Sequence, residues 1–217
     1  MLNPTTSDLF NNEPTLLLLG ARTLLLKRFA TLHAPILSTA LALITQQAPF
    51  RNMLTRGGFK MSVAMTNCGD YGWISDRKGY RYSLIDPISQ KPWPTMPAEF
   101  LALANCAATT AGFNNFVPDV CLINRYEIGA KMALHQDQDE QDFSQPIVSV
   151  SLGLPATFLL GGLTRTDKTQ RVLLEHGDVL VWGGVDRLRF HGVLPIKNPP
   201  QTLSANHRIN LTFRRAA

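Results

Sequence analysis

The chain has 217 residues, of which 45% are hydrophobic and 17% charged, and its formal net charge is +5. This length is enough for one domain with a sizeable core, and the composition excludes a disordered chain. The mild excess of Lys and Arg is compatible with a polyanionic partner and equally with an ordinary soluble protein. Cys68, Cys106 and Cys121 have no CxxC spacing, which favours reduced thiols over a zinc site. No stretch has the make-up of a signal core or a membrane span, so we expect a cytoplasmic protein.

The first third of the chain predicts a hairpin, a helix and a strand. Residues 1–14 are polar and predict a loose arm. Leucine-rich segments on either side of Gly20 predict a short hairpin. Residues 34–47 have helical periodicity, and Pro35 suits a first helical turn. The segment Met61–Met65 alternates as a strand does.

Residues 50–97 differ in character from their surroundings and predict long, irregular loops after that strand. Between Arg51 and Lys91 there are seven basic and three acidic residues, so most of the net charge lies here. Aromatic residues are interspersed among the basic ones, together with several Gly and Pro: Trp73, Tyr80, Tyr82 and Trp93. Long loops on a compact domain are often binding lids, and we interpret this segment as one.

The remainder predicts a second helix followed by many short strands. Residues 97–111 have an apolar helical face and end before Gly112. Strands are predicted at residues 120–125, 147–152, 157–160, 171–174, 177–182, 188–193 and 208–214. Short strands with glycine-rich turns after two helices predict a mainly β fold, a β-sandwich or jelly roll with helices on one face. Nothing suggests a second domain.

A metal site is suggested by His135 and Asp137, which lie two residues apart. In an extended segment such residues point to the same side, so an imidazole and a carboxylate can converge on one ion. His191, in a late predicted strand, is the best-placed second histidine among the five. Two histidines and one carboxylate favour non-heme iron, although the motif by itself also fits a polar loop after a strand.

The last predicted strand, Arg208–Arg214, alternates cleanly, with apolar residues on one side and Arg208, Asn210, Thr212 and Arg214 on the other. The ordinary interpretation is a solvent-facing polar side. Alternatively, the arginines could bind a dicarboxylate, since guanidinium groups match carboxylates. Six residues of strand span roughly 20 Å, which is far for both arginines to hold one small ligand. Asn124 and Tyr126 share a face of their own strand and could add neutral hydrogen bonds.

These motifs together resemble the AlkB family of Fe(II)/2-oxoglutarate-dependent dioxygenases. The resemblance runs from about Phe50 to Arg214 and includes six further segments: residues 57–69, 86–94, 122–126, 146–153, 173–178 and 181–184. It implies a double-stranded β-helix, a form of the jelly roll, over about residues 118–214. The nucleotide-recognition lid would occupy about residues 50–97 of the single domain.

The resemblance also implies roles for the metal and co-substrate residues. His135, Asp137 and His191 would hold Fe(II). Arg208, Asn124 and Tyr126 would bind the distal carboxylate of 2-oxoglutarate. Arg214 and Asn210 would lie near its metal-chelating end, which removes the difficulty of the 20 Å span because the two arginines need not bind the same carboxylate.

For the substrate, the resemblance implies that Trp73 and His135 sandwich an extruded base. Tyr80, Met61 and Met65 would line the pocket, and Thr55 would lie near the phosphates. Arg165 would contact the DNA backbone or the pocket rim. The acidic residues Asp139 and Glu140 suit a base that carries a positive charge, such as 1-methyladenine or 3-methylcytosine. We read Asp139 as a base-edge contact and Glu140 as its support. Ordinary structural roles, the strand's core face for the methionines and an exposed side chain for Arg165, are the alternatives.

The implied activity is oxidative demethylation of alkylated DNA, in which Fe(II) is the metal, 2-oxoglutarate and O₂ are consumed, and formaldehyde, succinate and CO₂ are released. The expected partner is single-stranded DNA, with RNA also open, and the expected state is a monomer with no membrane association. A dioxygenase acting on a protein side chain and a non-catalytic nucleic-acid-binding domain are the rival interpretations. Phe59 replaces a tyrosine that close relatives have after the Gly-Gly turn, and Ile209 replaces another.

Overall fold

The computed structural model of the chain describes residues 15–198 and 205–217. These residues include two α-helices, three antiparallel sheets and two short 3-10 helices at Thr31–His33 and Gly184–Asp186. The α-helices are α1 (Ala34–Gln47) and α2 (Ala98–Thr110). The first, larger sheet has eight strands, in the spatial order β1 (Thr15–Gly20), β2 (Thr23–Lys27), β12 (Val179–Trp182), β9 (Ile147–Gly153), β14 (Arg208–Arg214), β7 (Val120–Tyr126), β4 (Lys60–Gly69) and β3 (Arg51–Leu54).

A smaller sheet and a separate hairpin complete the strands. The smaller sheet has the order β11 (Gln170–Leu174), β10 (Ala156–Leu160), β13 (His191–Val193) and β8 (Met132–His135). The hairpin consists of β5 (Gly72–Asp76) and β6 (Gly79–Ser83). Two antiparallel sheets with crossing connections confirm the predicted double-stranded β-helix.

Two apolar layers hold this architecture together, one on each face of the larger sheet. On one face the helices cover β strands, with Phe100 of α2 packed edge-on against Phe213 of β14 at 5.8 Å between ring centroids. On the other face, residues of the larger sheet such as Ile147 and Leu180 pack against Phe158 and Leu160 of the smaller sheet. The second layer is incomplete, and the cavity described below lies there.

Strand β14 is the centre of this arrangement, because all seven of its residues are buried. Ile209, Leu211 and Phe213 belong to the core on the helical face. By alternation, Arg208 and Arg214, with the two polar residues between them, point to the space between the sheets. The polar side of β14 is therefore buried and does not face solvent, as the ordinary interpretation of this strand had it.

Several details differ from the sequence-based expectations. The segment expected to form irregular loops contains the regular β5–β6 hairpin, whose register pairs Trp73 with Tyr82. Its turn uses Gly79 at φ 112°, and basic residues between the aromatic ones obscured the alternation. Strands β3 and β8 were not predicted, and the strand expected from Leu188 begins only at His191. The predicted arm, residues 1–14, lies outside the described residues.

Candidate metal centre and substrate cavity

The metal-ligand residues converge at the end of the smaller sheet. His135 is the last residue of β8, His191 is the first of β13, and the two are direct cross-strand partners. Their ring centroids are 4.4 Å apart. Asp137 follows β8 by two residues, with Oδ1 3.7 Å from His135 Nε2 and Oδ2 3.6 Å from His191 Nε2. One ligand atom from each residue lies within 4.8 Å of the others, which fits a single ion.

Both imidazoles are oriented so that the same nitrogen faces the centre. His135 Nδ1 lies 2.9 Å from the carbonyl oxygen of Ala133, and His191 Nδ1 lies 2.9 Å from that of Arg189. A carbonyl partner requires Nδ1 to carry the hydrogen, so Nε2 of each ring presents its lone pair toward Asp137. Burial, together with the neighbouring His135, lowers the pKa of His191 to about 4, which keeps this ring neutral and able to bind a metal.

The carboxylate of the set is held ionised by an arginine from β14. Arg214 donates to Asp137 Oδ2 from Nε at 3.0 Å and from Nη2 at 2.6 Å. Burial opposes ionisation of Asp137, but the positive charge of Arg214 holds the pKa of this carboxyl well below its usual range. Asp137 is only 9% exposed, and its Oδ1 remains on the side of His135. These residues therefore offer two neutral nitrogens and one anionic oxygen, the donor set of a facial triad.

A second arginine lies along the same strand with its guanidinium incompletely satisfied. Arg208 is 1% exposed, and its Nη2 donates to Ser151 Oγ at 3.0 Å. Its Nε and Nη1 have no hydrogen-bond partner among the described residues. The ring of Tyr126 lies 5.0 Å from this guanidinium, and burial lowers the pKa of Arg208 while Tyr126 acts in the opposite direction. Two buried N–H groups without partners require an acceptor, and a ligand carboxylate provides one.

Neutral polar groups fill the space between the two arginines. Asn210 donates from Nδ2 to Ser149 Oγ at 2.8 Å and to the carbonyl of Val150 at 3.1 Å. Asn124 donates to Asn210 Oδ1 at 3.4 Å, while its own Oδ1 has no partner within the described ranges. The register of β14 with β7 pairs Asn124 with Asn210 and Tyr126 with Arg208. A buried, polar strip thus leads from Arg208 to the metal-ligand residues.

The predicted substrate residues surround the outer part of the same cavity. Its volume is about 640 Å³, and all the predicted metal, co-substrate and substrate residues line it. Trp73 of β5 stacks on Tyr80 of β6, with ring centroids 5.4 Å apart and planes at 20°. Trp73 also donates from Nε1 to Asp139 Oδ2 at 2.8 Å. Arg165 lies 6.0 Å from the ring of Phe190 and is exposed at the rim.

Glu140 occupies a different environment from Asp139, although the two residues are adjacent. Asp139 is exposed, whereas Glu140 is 6% exposed. Glu140 Oε1 accepts from the Tyr82 hydroxyl at 2.6 Å, and Oε2 lies 3.0 Å from Arg187 Nη2. Burial raises the pKa of Tyr82, so this phenol stays protonated and acts as the donor.

Sequence reasoning missed several residues of this region. Arg187 is 2% exposed, and it donates to the main-chain oxygens of Asp137 at 2.8 Å and Gln145 at 3.1 Å. It thereby holds both ends of the loop that follows the metal ligand. Ser151 and Tyr82 were also missed as contacts of Arg208 and Glu140. No local signal marks them, because each acts through a partner that is distant in sequence.

Comparisons with known proteins agree with this geometry. The family model described as 2OG-Fe(II) oxygenase superfamily matches residues 23–214. The chain is 52% identical over 211 residues to the alpha-ketoglutarate-dependent dioxygenase AlkB of Salmonella typhimurium, covering 97% of this chain and 98% of that one. It is 55% identical over 210 residues to AlkB of Escherichia coli, covering 96% of this chain and 97% of that one. The chain belongs to the AlkB family of 2-oxoglutarate- and Fe(II)-dependent dioxygenases.

Solved structures support the same assignment of the fold. The structure of OsALKBH1 matches with a TM-score of 0.79 and 32% identity, covering 93% of this chain and all of that one. An oxidoreductase of the 2OG-Fe(II) oxygenase family from Burkholderia pseudomallei matches with a TM-score of 0.54 at 15% identity, which supports the fold alone. Membership of the AlkB family implies Fe(II), 2-oxoglutarate and O₂, and the residues around Asp137 and Arg208 fit them. No helix in the described part of the chain is long and apolar enough to cross a bilayer.

Proposed function

We propose that this dioxygenase removes methyl groups from the ring nitrogens of nucleic-acid bases, such as 1-methyladenine and 3-methylcytosine. The observation that supports this most directly is the composition of the cavity that holds the metal-ligand residues. Its inner part carries the metal ligands and the unsatisfied Arg208, while its outer part carries an aromatic stack beside an exposed carboxylate. An aromatic surface suits any flat base, and a carboxylate favours a base with a positive charge.

The roles of the metal and co-substrate residues follow from their surroundings. His135, Asp137 and His191 would hold Fe(II), which with O₂ and 2-oxoglutarate supplies the oxidising power. Arg208 would bind the distal carboxylate of 2-oxoglutarate, assisted by Asn124 and Tyr126, because its two unpartnered N–H groups need an anionic acceptor. Arg214 and Asn210 would lie near the metal-chelating end.

The substrate residues would select and orient the base. Trp73 and His135 would face the two sides of an extruded base, and Tyr80, Met61 and Met65 would line its pocket. Asp139 would accept a hydrogen bond from the base edge, and Glu140 would support it. Thr55 and Arg165, at the rim of the cavity, would contact the backbone phosphates. The hydroxylated methyl group then leaves as formaldehyde and the base is restored.

Relatives with nucleic-acid names point to the same substrate class. Two proteins similar to shorter parts of this chain are named DNA N(6)-methyladenine demethylase, from Arabidopsis thaliana, and nucleic acid dioxygenase, from Mus musculus. We propose single-stranded DNA as the principal substrate, with RNA as a further one. We also propose that the enzyme acts in the cytoplasm as a monomer, since one chain supplies every residue of the cavity. Residues 50–97 would serve as the nucleotide-recognition lid of a single catalytic domain.

The test is an incubation of the protein with Fe(II), 2-oxoglutarate and a single-stranded oligonucleotide that contains 1-methyladenine. We expect formaldehyde and restored adenine in equal amounts, with no product from His135→Ala. Succinate formation that is stimulated by a peptide and not by the methylated oligonucleotide would refute the proposal in favour of a protein-modifying dioxygenase. An RNA oligonucleotide of the same sequence compares the two nucleic acids.

A further inference from the structure

Two consecutive carboxylates hold the two strands of the β5–β6 hairpin. Asp139 accepts from the indole of Trp73 on β5 at 2.8 Å, and Glu140 accepts from the hydroxyl of Tyr82 on β6 at 2.6 Å. Trp73 and Tyr82 are opposite one another in the register of the hairpin. The hairpin is therefore attached, at one cross-strand pair, to the loop that begins at the metal ligand Asp137.

The two carboxylates nevertheless have opposite surroundings. Asp139 is exposed at the rim of the cavity, and among the described residues no hydrogen bond reaches its Oδ1. The side chain of Glu140 is 1% exposed and lies between two arginines, with Oε2 3.0 Å from Arg187 and Oε1 3.4 Å from Arg214. Glu140 and Asp137 thus form a buried cluster with these two arginines, in which two carboxylates balance two guanidinium groups.

The contacts of Glu140 leave it unsuited to read a base. The Tyr82 hydroxyl donates to Oε1. Oε2 has no hydrogen-bond donor among the described residues, but it is buried and ion-paired with Arg187, as Oε1 is with Arg214, so a base amine would have to enter a closed site between two arginines. Removing a buried arginine from its carboxylate is costly, since it leaves an uncompensated charge. Displacing the Tyr82 hydroxyl would detach the hairpin that carries Trp73.

We propose that Glu140 is a positioning residue that fixes the β5–β6 hairpin through Tyr82, and that Asp139 alone presents a carboxylate to the base. The inference deepens the proposed function, because Trp73 and Asp139 are the base contacts assigned there. It also specifies how Glu140 supports Asp139: Glu140 contacts Tyr82 of the hairpin and not the base. Because Arg214 forms an ion pair with Glu140 at 3.4 Å and donates hydrogen bonds to Asp137, the hairpin is linked to the metal centre through three consecutive polar contacts.

The first test measures the hairpin directly and needs no substrate. Hydrogen exchange of the amides in residues 72–83 is compared among wild type, Tyr82→Phe, Glu140→Gln and the double variant, with and without Mn(II) and 2-oxoglutarate. Tyr71→Phe is the matched control just before β5. In Tyr82→Phe we expect these amides to exchange at least about tenfold faster than in wild type, which is the effect of losing one hydrogen bond to a charged group. In Tyr71→Phe we expect no change in the exchange rate. Glu140→Gln keeps an amide oxygen that can accept from Tyr82, so it should exchange more slowly than Tyr82→Phe. The double variant should exchange no faster than Tyr82→Phe, since that variant already lacks the contact.

The second test separates positioning from base reading. For Tyr82→Phe we expect the KM for a 1-methyladenine oligonucleotide to rise about tenfold, with kcat within about twofold of wild type. The preference for cationic 1-methyladenine over neutral ethenoadenine should be unchanged in Tyr82→Phe and Glu140→Gln, and should fall in Asp139→Asn. Tyr82→Phe keeps the buried charges intact, so it decides the matter even where Glu140→Gln fails to fold.

Two results would overturn the proposal: unchanged exchange of the hairpin in Tyr82→Phe, or a loss of cationic preference in Glu140→Gln as large as in Asp139→Asn. A wild-type protein that demethylates no oligonucleotide would refute the proposed function instead. In that case the exchange measurement still decides whether Glu140 anchors the hairpin.

Discussion

Replacing Arg208 by methionine should stabilise the ligand-free protein while abolishing the binding of 2-oxoglutarate. Methionine has a similar length and no charge. Arg208 is 1% exposed, and its Nε and Nη1 have no hydrogen-bond partner among the described residues. A buried guanidinium that finds its acceptor only in the bound ligand lowers the stability of the protein when the ligand is absent.

The magnitude follows from the contacts of the guanidinium. Each buried, unsatisfied N–H group costs about 1–3 kcal/mol, and the lost hydrogen bond to Ser151 contributes about 1 kcal/mol in the opposite direction. The two groups together cost about 2–6 kcal/mol, so the net gain for Arg208→Met should be about 1–5 kcal/mol in the free energy of unfolding. For a domain of this size, about 2–4 °C of Tm corresponds to each kcal/mol, so Tm should rise by about 2–20 °C.

Thermal unfolding measured with and without Mn(II) and 2-oxoglutarate tests both halves of the expectation. Wild type should gain Tm with increasing 2-oxoglutarate, because a ligand that binds only the native state stabilises it. Arg208→Met should have a higher Tm than wild type without ligand, and its Tm should not change with 2-oxoglutarate. Arg171→Met, at an exposed position of β11, is the control and should behave like wild type. A ligand-free Arg208→Met protein that unfolds below wild type would refute the reasoning, since the guanidinium would then be satisfied without the co-substrate.

Three further predictions concern charges in and around the cavity. Asp139→Asn should lower kcat/KM for 1-methyladenine by about 10- to 100-fold and change kcat/KM for ethenoadenine little, because the Asp139 carboxylate attracts only the cationic base. Equal losses of kcat/KM on both oligonucleotides would contradict this. Arg187→Met should lower the free energy of unfolding by about 3–5 kcal/mol, measured by urea titration, because it leaves the buried Glu140 with one arginine fewer. In the metal-free protein, His191 has a pKa of about 4 against an ordinary value of 6.5, so its contribution to stability is present above pH 6.5 and is lost as the pH falls to about 4. The loss should be about 3 kcal/mol, and it should be absent from the pH dependence of His191→Gln.

Local patterns predicted most of the elements around the site. The alternation of β14 predicted both its limits and which residues share a face, and the helices were predicted to within one or two residues. The β5–β6 hairpin was not predicted, because charged residues lie between the aromatic ones and obscure the alternation of each strand, which suggested loops. Strand β8 was missed for a similar reason, since its four residues end in the metal ligand His135 and carry little β signal of their own.

The chain's own sequence determined the chemistry available to this protein. Residues at i and i+2 on an extended segment share a side, so the pairing of His135 with Asp137, and of Arg208 with Asn210, follows from local geometry alone. Only the tertiary structure decided which distant groups complete these pairs. It placed His191 opposite His135 across two strands, left Arg208 with two unsatisfied buried nitrogens, and buried Glu140 while exposing Asp139. Burial and partners depend on contacts between residues far apart in the chain, and no local pattern encodes them.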